Sequence, residues 1–123
     1  MIKTKNFHPD SDTKLKCTCG HPLCDKRSVK QWVLDKIQLI RNDIKRPLII
    51  TSGGRCPNHP NERRKPKPAD HQKCLAVDIK VNDCYERAEL IELAFRVGAS
   101  SIGDYDNFVH IGFRDGKKAM WVK

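Results

Sequence analysis

Apolar residues recur at spacings of three and four along one stretch: Val29, Trp32, Val33, Ile37, Ile40 and Ile44 share one face of a helix. Ser28 stands where an N-cap belongs and Pro47 marks the exit. Trp32 lies on that stripe and is expected in the core rather than as a platform for a cofactor. Leu48-Ile49-Ile50-Thr51 reads as a short buried strand, followed by the glycine-bearing turn Ser52-Gly53-Gly54-Arg55. From residue 75 to 81 the period changes to two. Leu75, Val77, Ile79 and Val81 point one way, and Ala76, Asp78 and Lys80 the other. A second helix is predicted over roughly residues 86–97, with Leu90, Ile91, Ala94 and Phe95 on one side and Gly98 as C-cap. The chain through Gly103 and Asp104 reads as a loop. Residues 108–113 read as a strand in which His110 alternates against Val109 and Ile111, and Ala119-Met120-Trp121-Val122 as a final strand. This order predicts an α+β domain: a small antiparallel sheet with helices on one side. Residues 1–27 are polar and irregular, a cysteine-containing extension ahead of a domain spanning 28–123.

Composition narrows the reading. A chain of 123 residues, 38% hydrophobic and 32% charged, suits one folded domain with its own core. The longest apolar runs, such as Pro47-Leu48-Ile49-Ile50, are far too short to cross a bilayer, so no membrane insertion is expected. The opening Met1-Ile2-Lys3-Thr4-Lys5-Asn6 lacks the apolar stretch of a conventional signal peptide, which predicts synthesis in the cytoplasm. Twenty-four Lys and Arg against 15 Asp and Glu leave a charge of +9, attractive to any polyanion. The basic residues are dispersed and no reading helix stands out, so no specific nucleic acid is expected as a partner. Residues 56–70 carry four prolines and the run Arg63-Arg64-Lys65-Pro66-Lys67-Pro68, the composition of a long exposed loop that could rim a cleft.

Six cysteines without a secretory signal favour free thiols or local metal binding over a disulfide framework. Cys17-Thr18-Cys19-Gly20-His21-Pro22-Leu23-Cys24 has three thiols and an imidazole within eight residues. That set is too compact for a four-ligand cage. A partial site, a disulfide or idle thiols are expected there in preference to a structural zinc.

The stronger candidate chemistry lies further on. Zinc takes three or four ligands from His, Cys, Asp or Glu, and a catalytic zinc keeps one position open. His71 stands before a strand, Asp78 follows seven residues later on its polar face, and His110 comes from another strand. Two imidazoles and one carboxylate make a site able to lower the pKa of bound water and polarise a carbonyl. A lone histidine in a strand is more often structural, so spacing alone leaves both readings open.

Three segments in order carry more information: Ile50-Thr51-Ser52-Gly53-Gly54-Arg55-Cys56-Pro57, then His71-Gln72-Lys73-Cys74-Leu75-Ala76-Val77-Asp78-Ile79, then Tyr105-Asp106-Asn107-Phe108-Val109-His110-Ile111-Gly112-Phe113-Arg114. Together they resemble the zinc D-alanyl-D-alanine carboxypeptidase-like metallopeptidases (the M15 family), in particular small phage and bacterial members, over residues 7–115. The resemblance implies a zinc DD-peptidase/hedgehog-like fold, with His71, Asp78 and His110 as Zn2+ ligands. It implies Arg55 as the group that binds a substrate carboxylate or helps polarise the scissile carbonyl, which suits its planar fork. It implies a monomeric peptidase of the phage endolysin kind, acting on peptidoglycan stem or cross-link peptides at D-alanine or L-alanyl–D-glutamate bonds. A basic face would assist by binding an anionic cell-wall polymer.

The sequence departs from the family at four places. Cys74 stands where the family has Gly, Asp70 where Ser is frequent, and Gly112 where many short members have Asp. Asn107 stands three residues before the last ligand, where some members have an acidic catalytic group; an amide cannot accept a proton as a carboxylate does. Asp104 and Asp106 are the remaining candidates for the base. These departures also keep open a noncatalytic zinc fold used for binding. A cysteine peptidase built on Cys74 lacks a defensible histidine partner.

Overall fold

The computed structural model describes residues 1–123. Two helices, α1 (Gln31–Ile44) and α2 (Cys84–Arg96), accompany five strands: β1 (Ile50–Ser52), β2 (Ala76–Lys80), β3 (Ser101–Asp104), β4 (Phe108–Gly112) and β5 (Ala119–Val122). The strands form one sheet in the order β1-β2-β4-β3-β5. All neighbours are antiparallel except β3 and β5, which run parallel. The α+β expectation holds, with a mixed rather than purely antiparallel sheet.

The alternation in β2 and β4 assigns the two faces of the sheet. Val77 and Ile79 register with Ile111 and Val109, and all four are fully buried. They share one core cluster with Val33, Leu34, Ile37 and Ile40 of α1 and Leu90, Leu93 and Ala94 of α2. The helices therefore cover this face, and burying it supplies the main driving force for folding. Phe7 and Leu15 belong to the same cluster, so the N-terminal segment packs into the core rather than standing apart from it.

Three local expectations are corrected. Ser28 does not cap α1: it bridges to Lys16, and the helix starts later behind Lys30, which makes no side-chain cap. Trp32 is 46% exposed and meets Phe113 edge-on instead of entering the core. The segment read as a loop through Gly103 and Asp104 is β3, held between β4 and β5. With one large apolar residue and a glycine it shows no period of its own, and its extended form comes from its partners.

Candidate metal centre

The sheet face turned away from the helices carries the site. Antiparallel register sets Ser52 opposite Asp78, Asp78 opposite His110, and His110 opposite Gly103; the parallel pair then sets Gly103 beside Trp121. Residues in register project to the same face, so this row places Asp78 and His110 side by side. A side chain at Gly103 would collide with the rings of Tyr105 and Trp121, which wall the site at 2.6 and 2.7 Å from its ideal Cβ position. His71 arrives from the turn before β2.

Three donor atoms converge. His71 Nε2 lies 3.1 Å from Asp78 Oδ1, His110 Nδ1 lies 3.1 Å from the same oxygen, and the two ring nitrogens are 3.2 Å apart. All three residues are buried. Ligands about 2.0–2.1 Å from a tetrahedral zinc stand roughly 3.4 Å from one another, so the trio needs to open by only a few tenths of an ångström. The expected ligand set is therefore geometrically consistent with zinc.

The far side of each imidazole is held as a metal site requires. His71 Nδ1 contacts the Gly53 carbonyl at 2.7 Å, which fixes the tautomer that presents Nε2 to the metal. His110 Nε2 contacts Asp70 Oδ2 at 3.2 Å, and Ser101 donates its hydroxyl proton to the same oxygen at 2.8 Å. This arrangement of carboxylate, imidazole and metal position orients His110 and raises its basicity. Burial alone would raise the Asp78 carboxyl, but the hydrogen bonds and charges of His110 and His71 outweigh it and hold the group at about 2. Burial would likewise raise Asp70, and His110 and Ser101 together bring it below the ordinary carboxylate value. For His110, burial works downward and is overcome by Asp70 and Asp78, so the metal-free imidazole titrates above its usual range.

Arg55 is placed beside this cluster. Its Nε donates to Ser52 Oγ at 3.2 Å, Nη1 to Glu62 Oε2 at 3.2 Å, and Nη2 lies 3.7 Å from Asp78 Oδ2. Glu62, which holds Arg55 in place, is a residue the sequence reading missed. It lies in the proline-rich segment expected to be an exposed loop, yet it is buried and also receives Lys65 Nζ at 2.9 Å. A glutamate in a basic, proline-rich run gives no burial signal; only the fold back onto Arg55 removes it from water.

A cavity of about 360 Å³ opens over the donors, with Arg55, Lys65 and Arg114 around it and Tyr105, Phe108 and Trp121 as apolar walls. Arg114 stands over the Trp121 ring, 5.7 Å from its centroid. The structure does not bring Asp104 or Asp106 to this cavity. Asp104 registers with Val109 and Val122 on the helix-facing side and is ion-paired with Arg87 of α2. Asp106 lies in the exposed turn between β3 and β4, where its backbone carbonyl accepts from Arg87 at 2.8 Å. Both border a separate depression that Arg87 shares.

Cys74 adopts a left-handed backbone, φ 63°, where a glycine would be unstrained. Its buried thiol borders a depression formed with Arg27, Lys30 and Gln72, apart from the donor cluster.

A buried His-Asp-His set on one sheet face, with each imidazole buttressed from behind, is consistent with a zinc centre of the metallopeptidase type. The profile of the Peptidase M15 family matches residues 5–112, and the chain belongs to that family. No curated protein matches the sequence.

Proposed function

We propose that the chain is a zinc-dependent peptidase that cleaves stem or cross-link peptides of peptidoglycan, on a zinc DD-peptidase/hedgehog-like scaffold. The observation that carries this reading is the donor triangle opening into a cavity ringed by three cationic side chains. When bound by His71, Asp78 and His110, zinc supplies Lewis acidity toward a carbonyl and activates water. The residues of the chain do the rest. Arg114, held over the Trp121 ring, presents its guanidinium at the cavity to a substrate carboxylate, which peptidoglycan stems carry at D-glutamate and at the terminal D-alanine. Arg55, held by Ser52 and Glu62, keeps positive charge beside Asp78 where negative charge develops on the scissile carbonyl. Tyr105, Phe108 and Trp121 restrict water. Of the two candidate bases, Asp104 is committed to Arg87 and the Asp106 side chain is exposed outside the cavity, so both remain candidates to be tested by substitution. Synthesis in the cytoplasm with action at a bacterial wall, by a monomer and in a phage context, completes the proposal.

A second reading is favoured by one observation. The two carboxylates in the cavity wall, Asp70 and Asp78, are both committed, to His110 and to the metal position. A zinc-holding domain that binds wall peptides without cutting them would look the same. Digestion of purified peptidoglycan, read by mass, separates the two. Released fragments are expected from the zinc-loaded protein and absent with chelator or His110→Ala, and Asp104→Asn and Asp106→Asn at unchanged zinc content test the two candidate bases separately. No fragments from a chain that holds zinc tightly would establish the binding domain.

A further inference from the structure

A second cluster of metal-ligating side chains lies outside this centre. Cys17, Cys19 and Cys24 come from the N-terminal segment, and Cys56 joins them from the turn that carries Arg55. All four sulfurs lie within 4.8 Å of one another. Cys19 Sγ and Cys56 Sγ are 3.6 Å apart, and none of the four is in a disulfide. Bonded sulfurs stand about 2.05 Å apart. Four thiolates about 2.3 Å from a tetrahedral zinc stand roughly 3.8 Å apart. The observed spacing is that of a cage.

The surroundings fit a closed structural site. Cys17 and Cys56 are buried and the other two half-buried, so four sulfurs enclose the centre with no position left for a substrate. The backbone turns after the ligands through left-handed residues, Gly20 at φ 79° and Lys26 at φ 54°, and Lys26 donates its N–H toward Cys24 Sγ at 3.4 Å. Such N–H to sulfur contacts stabilise coordinated thiolates. Four thiolates around a divalent ion carry a net charge of −2, and Lys14, Lys16 and Arg55 border the adjoining cavity to offset it. The gathering of four sulfurs was hidden from the sequence for a topological reason. The fourth ligand is Cys56, beyond α1 and β1, and spacing within residues 17–24 could not reveal it.

We propose that Cys17, Cys19, Cys24 and Cys56 bind a second zinc ion whose role is structural. It ties the N-terminal segment to the turn that shapes the first centre. Cys56 directly follows Arg55, and Gly53 of the same turn holds His71 through its carbonyl. Gly53 and Gly54 pack so closely on the backbone of Leu15 and Arg27 that a Cβ at either would collide. Gly54 N–H donates to the Leu15 carbonyl at 3.0 Å. The ion fastens this contact from its open end.

Zinc content of reduced, folded protein by elemental analysis tests the site independently of any peptidase activity. Two zinc ions per chain are expected in the wild type, one in His110→Ala, and one in Cys19→Ser or Cys24→Ser. Because a serine variant can fail to fold, His110→Ala is also loaded with cobalt(II). Thiolate-to-cobalt charge-transfer absorption is expected to persist in it. A wild-type chain holding one zinc that His110→Ala removes, with four freely titrating thiols or an intact mass showing disulfides, would overturn the proposal. Tightly bound iron in place of zinc would overturn the assignment of the metal.

Discussion

Asp70 illustrates how one side chain can replace another from a different point in the chain. The ideal Cβ of Gly112 would meet Asp70 Oδ2 at 2.6 Å and overlap Ser101 Oγ. The carboxylate behind His110 is thus supplied by a turn residue reaching over β4, into space that an aspartate at 112 would fill. Relatives with Ser at the first position and Asp at the second would place the same group there from the opposite side. Asp70→Ala is expected to weaken zinc binding by about 10–100-fold, the usual cost of losing such a partner. Gly112→Asp alone should destabilise the protein by crowding Asp70. The double variant Asp70→Ser, Gly112→Asp should recover most of the zinc affinity. Competitive titration against a chromophoric chelator reads all three, and a double variant no better than Asp70→Ala would refute the exchange. The ligands were legible in the sequence through the motifs that carry the family resemblance; Asp78 and His110 also fall on polar strand positions, whereas His71 lies in the turn before β2. Asp70 was noticed only as a departure, since its partner His110 is 40 residues away.

At the scale of elements, periodicity located both helices and the strands β2 and β4, whose apolar faces are long enough to repeat. It misplaced ends and omitted β3. The start of α2 shows which local signal counted. Asp83 caps it by accepting from Glu86 N–H at 2.8 Å, two residues or so before the apolar stripe suggested a beginning. Asp83→Ala should cost about 1 kcal/mol of stability, the typical worth of an N-cap. Chemical denaturation checks this, with zinc content as control. The ladder that fixes Asp78 and His110 lies on the other side of the core, so zinc stoichiometry should not change. A lost zinc ion would mean that α2 controls the site directly.

Across the whole molecule, proton and metal binding are linked through His110. In the metal-free protein its folded pKa is raised above the ordinary 6.5, so its contribution to stability is complete below that value and is lost as pH rises through the raised one. Asp78 runs the other way: lowered from 3.8 to about 2, it contributes above 3.8 and loses that contribution as pH falls toward 2. Zinc requires the neutral imidazole. As pH rises above about 6.5, metal-free protein should therefore melt at falling temperature while the gain in Tm on adding zinc grows. Scanning calorimetry with and without zinc tests this; a gain independent of pH would contradict the linkage.

By itself, the sequence determined the α+β class and the core stripes, because these depend on residue type and local period, and it singled out His71, Asp78 and His110 as candidate ligands through the three motifs that resemble a known family. Only the tertiary structure decided the parallel pairing of β5, the carboxylate behind His110, the burial of Glu62 and the arrival of Cys56 among three other thiols. Each of these depends on which distant segments meet, and that is set by register and by closure of the shared core, which no local window of the chain contains.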